Sequence, residues 1–171
     1  MSVDGTADAA LHVDQVTVMP VAADRYKGLP VRKDLAQLMG RGTDVSKGMR
    51  ISSLRLGGSM VLCDGYRWKR FRGPREARQP YAGVWYRYDT AGWKIFETLE
   101  LCEALGIEAC VITLPVTETV ADLEDLIEYA FGNATETKWG AMRKKDGREN
   151  PYRPFLIEVG NENVRRVLTH L

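Results

Sequence analysis

The sequence predicts an α/β fold built on a parallel sheet, and three observations carry that expectation. Segments of strand composition alternate with segments of helical period along most of the chain. The strand segments are continuous apolar runs rather than alternating ones, as expected where a parallel sheet is covered on both faces. A length of 171 residues allows one domain of roughly 150 residues with a real core.

Taken in order, residues 1–14 read as a loose leader. They hold three Asp and no Lys or Arg, so they lack the basic start and apolar centre of a signal peptide, which favours an intracellular location. Residues 15–171 form the folded domain. Gln15 to Val21 is a β-branched run closed by Pro20 and reads as a short strand. Leu29-Pro30 opens a helix with Val31, Leu35, Leu38 and Met39 on one face and Gly40 as its stop. Arg41 to Arg50 is a loop of Gly, Ser and charged residues. Ile51 to Leu56 is a second strand, ended by Gly57-Gly58.

Tyr66 to Asp89 follows neither period and reads as a long ordered loop, a class that is usually functional in compact domains. Ile95, Leu99, Cys102 and Leu105 restore the helical spacing, with Gly106 as C-cap. Ile107 to Leu114 is a strand stopped by Pro115. The next helix starts near Thr119, with Asp122 at the capping-box position, and is expected to bury Val120, Leu123, Leu126, Ile127 and Phe131 before Gly132. A polar loop runs through Asn150, and Phe155 to Val159 is the last strand, followed by Gly160-Asn161-Glu162-Asn163.

Composition narrows the function classes. The chain is 44% hydrophobic and 27% charged, with 24 Lys plus Arg against 23 Asp plus Glu, an ordinary globular balance. A net charge of +1 gives no global argument for nucleic acid or an anionic membrane. No apolar run approaches the roughly 18–20 residues that span a bilayer. Cys63, Cys102 and Cys110 lack zinc-site spacing and read as reduced thiols. His12 and His170 stand alone near the termini, and no Lys-Ser or Lys-Thr follows Gly57-Gly58 to make a phosphate loop.

In parallel α/β folds the chemistry sits at the carboxyl ends of the strands. That rule selects Leu56 to Ser59, Thr113 to Glu118, and Gly160 to Asn163. Glu162 is the sharpest candidate, because a carboxyl over an apolar sheet can have its pKa raised and act as a general acid. Asn161 beside it is suited to hydrogen-bond a substrate hydroxyl. The same Asn-Glu-Asn also reads as a polar turn capping a final helix. Arg55, inside a strand, needs a carboxylate partner, and either orients an acidic group or binds a sugar, or forms a structural salt bridge. Tyr66 to Arg75 mixes aromatic and basic residues, which suits a sugar-facing rim, a single-stranded nucleic-acid surface, or a solvated loop pinned to the core.

Several motifs fall in a known order: L-R-L-G-G-S-M-V at 54–61, Y-R-W-K at 66–69, G-P-R-E-A-R-Q-P at 73–80 and W-Y-R-Y at 85–88. They continue with L-C-E-A-L-G-I-E-A at 101–109, W-G-A-M-R at 139–143 and E-V-G-N-E-N at 158–163. From about Val18 to Asn163 the chain resembles the N-terminal half of the catalytic domain of α-L-arabinofuranosidases of glycoside hydrolase family 51.

The resemblance implies a retaining glycosidase on a (β/α)8 barrel of TIM type, here truncated to about four strands. It implies hydrolysis of terminal α-L-arabinofuranosyl residues from polysaccharides or glycoconjugates. The general acid/base falls on Glu162, with Asn161 before it, and Arg55 and Ser59 fall in the sugar subsite. Retaining chemistry needs a second carboxylate about 5–5.5 Å away, and no metal or organic cofactor. In the family that nucleophile belongs to the seventh strand, so the nucleophile half is expected to be missing from these 171 residues.

Departures from the family pattern are the absence of Pro before Gly57-Gly58, the replacement of an Asn around Pro115, and Gly92-Trp93-Lys94 in place of Gly-aromatic-Gly. The alternative is a non-catalytic carbohydrate-binding remnant or pseudoenzyme. The expected partner is an arabinofuranosyl-containing glycan, with no nucleic acid and no membrane, and self-association through open barrel edges is expected.

Overall fold

A computed structural model describes residues 18–40 and 49–162. The leader, the start of the first expected strand, most of the 41–50 loop and the residues after Glu162 lie outside them. Four helices, α1 (Lys33–Met39), α2 (Ile95–Leu105), α3 (Val120–Phe131) and α4 (Lys138–Lys145), accompany three strands, β1 (Ser53–Leu56), β2 (Ala109–Leu114) and β3 (Leu156–Val159). The strands form one parallel sheet in the order β1-β2-β3. Leu56 pairs with Ile112, and Leu114 pairs with Val159.

Side chains alternate across a strand, so this register sorts the sheet into two faces. Leu54, Leu56, Cys110, Ile112, Leu114 and Ile157 pack into the core, with α2 against β1 and β2. Arg55, Val111, Thr113, Leu156 and Glu158 share the other face, where Leu156 is exposed. Burying Ile112 and Leu114 completely contributes about 1.5–3 kcal/mol each relative to exposure, which makes β2 the keel of the sheet.

The helix ends follow local chemistry. Gly106 closes α2 in the left-handed region at φ 70°, where a side chain is strained, and its N–H returns to the last-turn carbonyls. Thr119 caps α3: its hydroxyl accepts from the Asp122 N–H at 3.1 Å, and the Asp122 carboxylate accepts from the Thr119 N–H at 3.0 Å. The Asp122 carboxyl is held well below its usual range, first by the Lys69 ammonium and then by Thr119.

The long β1–α2 connection is ordered because several of its aromatics are core residues. Tyr66, Trp68 and Phe71 are fully buried, and the Trp68 indole N–H donates to the Asp122 carbonyl at 2.8 Å. Lys94 is buried among the rings of Tyr66, Phe71 and Tyr81 and pairs with Asp89 at 2.6 Å. Arg78 is buried against Glu97 at 2.6 Å. A buried charge persists only when paired in this way.

Four expectations are corrected. Residues 18–21 form no strand: Val18 is exposed, no sheet partner lies beside them, and Pro20 has no N–H to give a ladder. Among the described residues the sheet therefore has three strands rather than four. The stretch expected to be a polar loop through Asn150 contains α4, capped by Thr137. Its buried Arg143 donates to the carbonyls of Tyr129, Gly132 and Glu149, so polar contacts anchor this helix. On α3, Val120 and Ile127 are exposed; Leu126, Tyr129 and Ala130 carry the buried face, because α4 packs beside them. On α1 likewise, Leu35 and Leu38 are exposed and Ala36 is the buried residue.

Candidate active site

β1 and β3 are not neighbours, yet a side-chain network joins them across β2. Arg55 Nε donates to Glu158 Oε2 at 2.7 Å, and its Nη2 donates to Asn161 Oδ1 at 3.1 Å. Thr113 Oγ1 donates to the same Glu158 oxygen at 2.6 Å. The register explains the meeting, since Thr113 pairs directly with Glu158 and Arg55 lies one strand over on the same face. The Arg55 guanidinium, then the Thr113 hydroxyl, hold the Glu158 carboxyl below its usual range. Arg55 and Glu158 are each about two-fifths exposed (44% and 40%), so the pair is a positioning device more than a source of stability.

Gly57 makes this crossing possible. A Cβ at residue 57 would stand 1.9 Å from Thr113 Oγ1 and 3.3 Å from the Arg55 guanidinium carbon. The missing side chain is the slot through which Thr113 and Arg55 reach Glu158. Gly58 turns the chain at φ 90°, a conformation that favours glycine, and Ser59 begins the 3-10 turn Ser59–Leu62. Gly57→Ala is expected to destabilise the chain by about 1–3 kcal/mol through overpacking. It should also release Asn161 from Arg55, seen as loss of a fixed Asn161 side-chain amide signal in NMR spectra.

At the end of β3, Gly160 N–H donates to the Leu114 carbonyl at 2.7 Å and turns the chain at φ 79°. Asn161 is half-buried, with its amide oxygen held by Arg55, and its NH2 can act only as a donor. Glu162 follows at φ 58°, in the left-handed region that is strained for a non-glycine residue. The described residues do not provide the apolar surroundings expected for Glu162, which is exposed. Arg55, Asn161 and Glu162 thus lie together at the carboxyl end of the sheet. Ser59 follows β1 at the same end and makes no side-chain hydrogen bond among the described residues.

Thr113 falls at the start of a strand-end segment the sequence selected, whereas Glu158 escaped the sequence reading, although a signal existed. Glu158 is the one charged residue inside an otherwise apolar strand, and Arg55 demanded a carboxylate.

Glu118 lies in the turn after β2, with its side chain only 4% exposed. It accepts the Trp68 backbone N–H at 3.1 Å, and burial pushes its carboxyl up. The rings of Tyr66, Trp68 and Phe71 are buried in the core and offer no exposed face for stacking. Trp85, Tyr86 and Tyr88 remain strongly exposed in the same connection. Among the described residues no group of three or more His, Cys, Asp or Glu is arranged to hold a metal ion, and no helix is long and apolar enough to cross a membrane.

Comparison with known proteins gives this geometry a context. The chain is 31% identical over 176 residues to alpha-L-arabinofuranosidase 1 of Arabidopsis thaliana, covering 92% of this chain and 24% of that protein. An arabinofuranosidase crystal structure superposes with TM-score 0.64 at 26% identity, over 78% of this chain and 26% of the other. The alpha-L-arabinofuranosidase of Thermotoga maritima, solved with arabinose, gives TM-score 0.56 at 28% identity, over 64% and 23%. The chain spans about a quarter of the length of the relatives it matches. The described fold therefore superposes on about a quarter of each of these arabinofuranosidase chains. The alpha-L-arabinofuranosidase 1 domain model matches residues 45–169, and the chain belongs to that family of glycoside hydrolases.

Proposed function

We propose that these residues carry the acid/base side of a retaining α-L-arabinofuranosidase site, with β1, β2 and β3 as neighbouring strands of a larger barrel. The observation that carries the reading is the Arg55–Glu158–Asn161 network at the carboxyl ends of three parallel strands, immediately before Glu162. Glu162 protonates the departing glycosidic oxygen and then takes a proton from water as the glycosyl-enzyme is hydrolysed. Asn161, its oxygen fixed by Arg55, donates its NH2 to a ring hydroxyl of the arabinofuranosyl group. Arg55 and Ser59 line the same subsite. The left-handed backbone at Glu162 supports the reading, because strain of this kind collects at functional sites. The attacking carboxylate comes from a separate segment of polypeptide, and without it the open edges β1 and β3 favour self-association.

The test is complementation. The chain is mixed with the separately expressed C-terminal part of the catalytic domain of a relative, and turnover of arabinofuranosides is followed. Glu162→Gln is expected to lower kcat by about 10²–10⁴-fold for substrates with poor leaving groups, and much less for an activated aryl glycoside. Restored activity that is indifferent to Glu162→Gln removes the acid/base assignment. Saturable glycan binding with no turnover in the complemented pair favours the non-catalytic remnant.

A further inference from the structure

The cations of the Tyr66–Arg75 stretch lie outside the Arg55 network. A three-residue period sorts this stretch: Trp68 and Phe71 are fully buried, and Lys69, Arg70 and Arg72 keep contact with solvent. The 3-10 turn Trp68–Arg70 is pinned by its tryptophan, whose indole donates to the Asp122 carbonyl at 2.8 Å and whose backbone N–H donates to Glu118 at 3.1 Å. Gly73 then turns the chain at φ 72°, where a side chain is strained and a Cβ would stand 3.3 Å from Asp146 Oδ1. Beside this turn is a cavity of about 320 Å³ lined by Lys69, Arg70, Arg72, Arg78, Gln79 and Asp146. Its lining holds four cations and one carboxylate, in a chain whose net charge is only +1. The hydrogen bonds show which of these cations a ligand can use. Lys69 is held by Asp122 and Asp125, and buried Arg78 by Glu97 and the carbonyls of Gly73 and Ala91. Arg72 spends only Nη1, on the two oxygens of Asp146 at 3.0 and 2.8 Å; its Nε and Nη2 make no hydrogen bond among the described residues. Arg70 is exposed and makes one long hydrogen bond, to the Gly65 carbonyl at 3.5 Å. The exposed Gln79 amide makes none among the described residues. Two guanidinium groups and an amide therefore line one cavity with donors unspent.

We infer that this cavity is a subsite for the uronate carboxylates of an acidic polysaccharide that carries the arabinofuranosyl groups. The choice of a glycan rests on the proposed function, and the choice of an acidic one rests on the cavity. A guanidinium fork meets the two oxygens of a carboxylate through parallel N–H bonds, a match that a neutral sugar hydroxyl does not offer. Arg72 already holds both oxygens of one carboxylate, that of Asp146, within the cavity. An incoming uronate takes the fork of Arg70, while Arg72 Nη2 and the Gln79 NH2 donate to its remaining oxygens. None of the lining side chains is aromatic, which leaves a nucleobase nothing to stack on here. Lys69 and Arg78, neutralised by their own carboxylates, act as fixed walls rather than as ligand-binding groups.

The probe is a short oligogalacturonate, which carries carboxylates and no arabinose. Titrated into the isotope-labelled chain at low salt, it should give saturable shifts at the Arg70 and Arg72 Nε–H, the Gln79 NH2 and the Gly73 amide. Arg70→Ala should weaken binding about tenfold, the size of one charge-assisted hydrogen bond. Arg70→Lys should restore only part of it, because an ammonium keeps the charge and loses the fork. Lys33→Ala, at an exposed cation on α1, should leave binding unchanged. Raising the salt from about 0.02 M to about 0.2 M should weaken the complex several-fold, and the methyl-esterified oligomer should not bind. In the complemented enzyme, Arg70→Ala should raise KM for an arabinofuranosyl-bearing acidic polysaccharide and leave KM for a neutral arabinan as it was. Equal binding of the ester, an equal loss in Lys33→Ala, shifts confined to other parts of the chain, or an equal rise in KM for the neutral arabinan overturns the inference. Tighter binding of a single-stranded oligonucleotide of equal charge at these residues also overturns it. Arg70 is exposed, and unchanged urea unfolding of its variants separates lost contact from lost fold. The oligomer carries no arabinofuranosyl group, so a failure here leaves the Asn161 subsite standing, and a failure of methyl α-L-arabinofuranoside to bind at Asn161 leaves this result standing.

Discussion

The isolated 171 residues are expected to give no detectable turnover of an aryl α-L-arabinofuranoside. Proton donation by one positioned carboxylic acid contributes about 10²–10⁴-fold. Enzymes typically reach 10⁶-fold or more, and a retaining glycosidase needs a second carboxylate about 5–5.5 Å from the first to attack the anomeric carbon. Besides Glu162, two carboxylates near the carboxyl end of this sheet are already engaged. Glu158 accepts from Arg55 and Thr113, and Glu118 is enclosed, holding the backbone of Trp68. Freeing either one costs the contacts that shape the site. Steady hydrolysis by the purified chain, lost in Glu118→Gln or Asp64→Asn, would mean that a local carboxylate attacks and that the division of labour is wrong. The assay is release of the aryl group, with a complemented sample as the positive control.

Trp68→Ala is expected to cause the largest loss of stability of any single truncation in the β1–α2 connection. The indole is fully buried against the rings of Tyr129 at 5.7 Å and Trp139 at 5.2 Å, with Phe96 at 6.5 Å. Its N–H satisfies the Asp122 carbonyl inside the first turn of α3. Removing it leaves a cavity shared by α2, α3 and α4, and large-to-small changes of an aromatic in such a position cost about 3–5 kcal/mol. A domain is typically stable by only about 5–15 kcal/mol. Urea unfolding followed by circular dichroism should show the midpoint falling sharply with little change in slope. A loss below about 1 kcal/mol would show that the loop is not part of the core. Trp68 also reaches the carboxyl end of the sheet indirectly, because the Glu118 carboxylate accepts its backbone N–H in the turn after β2.

Where periodicity and capping carried the information, the sequence was sufficient. α2 begins and ends where Ile95, Leu99, Cys102 and Leu105 place it, with Gly106 in the left-handed region. The Thr119–Asp122 capping box starts α3 as read. The demand of Arg55 for a carboxylate was legible from the cost of an unpaired charge in a strand. Its partner was not, because Glu158 comes beside Arg55 only when three strands are in register and residue 57 lacks a side chain. α4 was missed for a different reason. Its anchor is Arg143 donating to three backbone carbonyls, an arrangement with no hydrophobic period. Lys94 and Arg78 show the same blind spot: no period marks them, yet Lys94 is buried among aromatic rings beside Asp89 and Arg78 is buried against Glu97. The exposure of Val120 and Ile127 shows the converse, since an apolar period marks a helix without saying which part of its stripe the neighbours cover.

On the proposed function, the carboxyl ends of β1 and β3, held together through Arg55, form an arabinofuranosyl subsite. Titration of the isotope-labelled chain with methyl α-L-arabinofuranoside, read by backbone and side-chain amide shifts, tests it most directly. Saturable shifts are predicted at Gly57, Gly58, Ser59, Asn161 and Glu162, including the Asn161 side-chain NH2, and Arg55→Ala should abolish them. Saturable shifts confined to other parts of the chain, or shifts at these residues that persist in Arg55→Ala, would contradict the account.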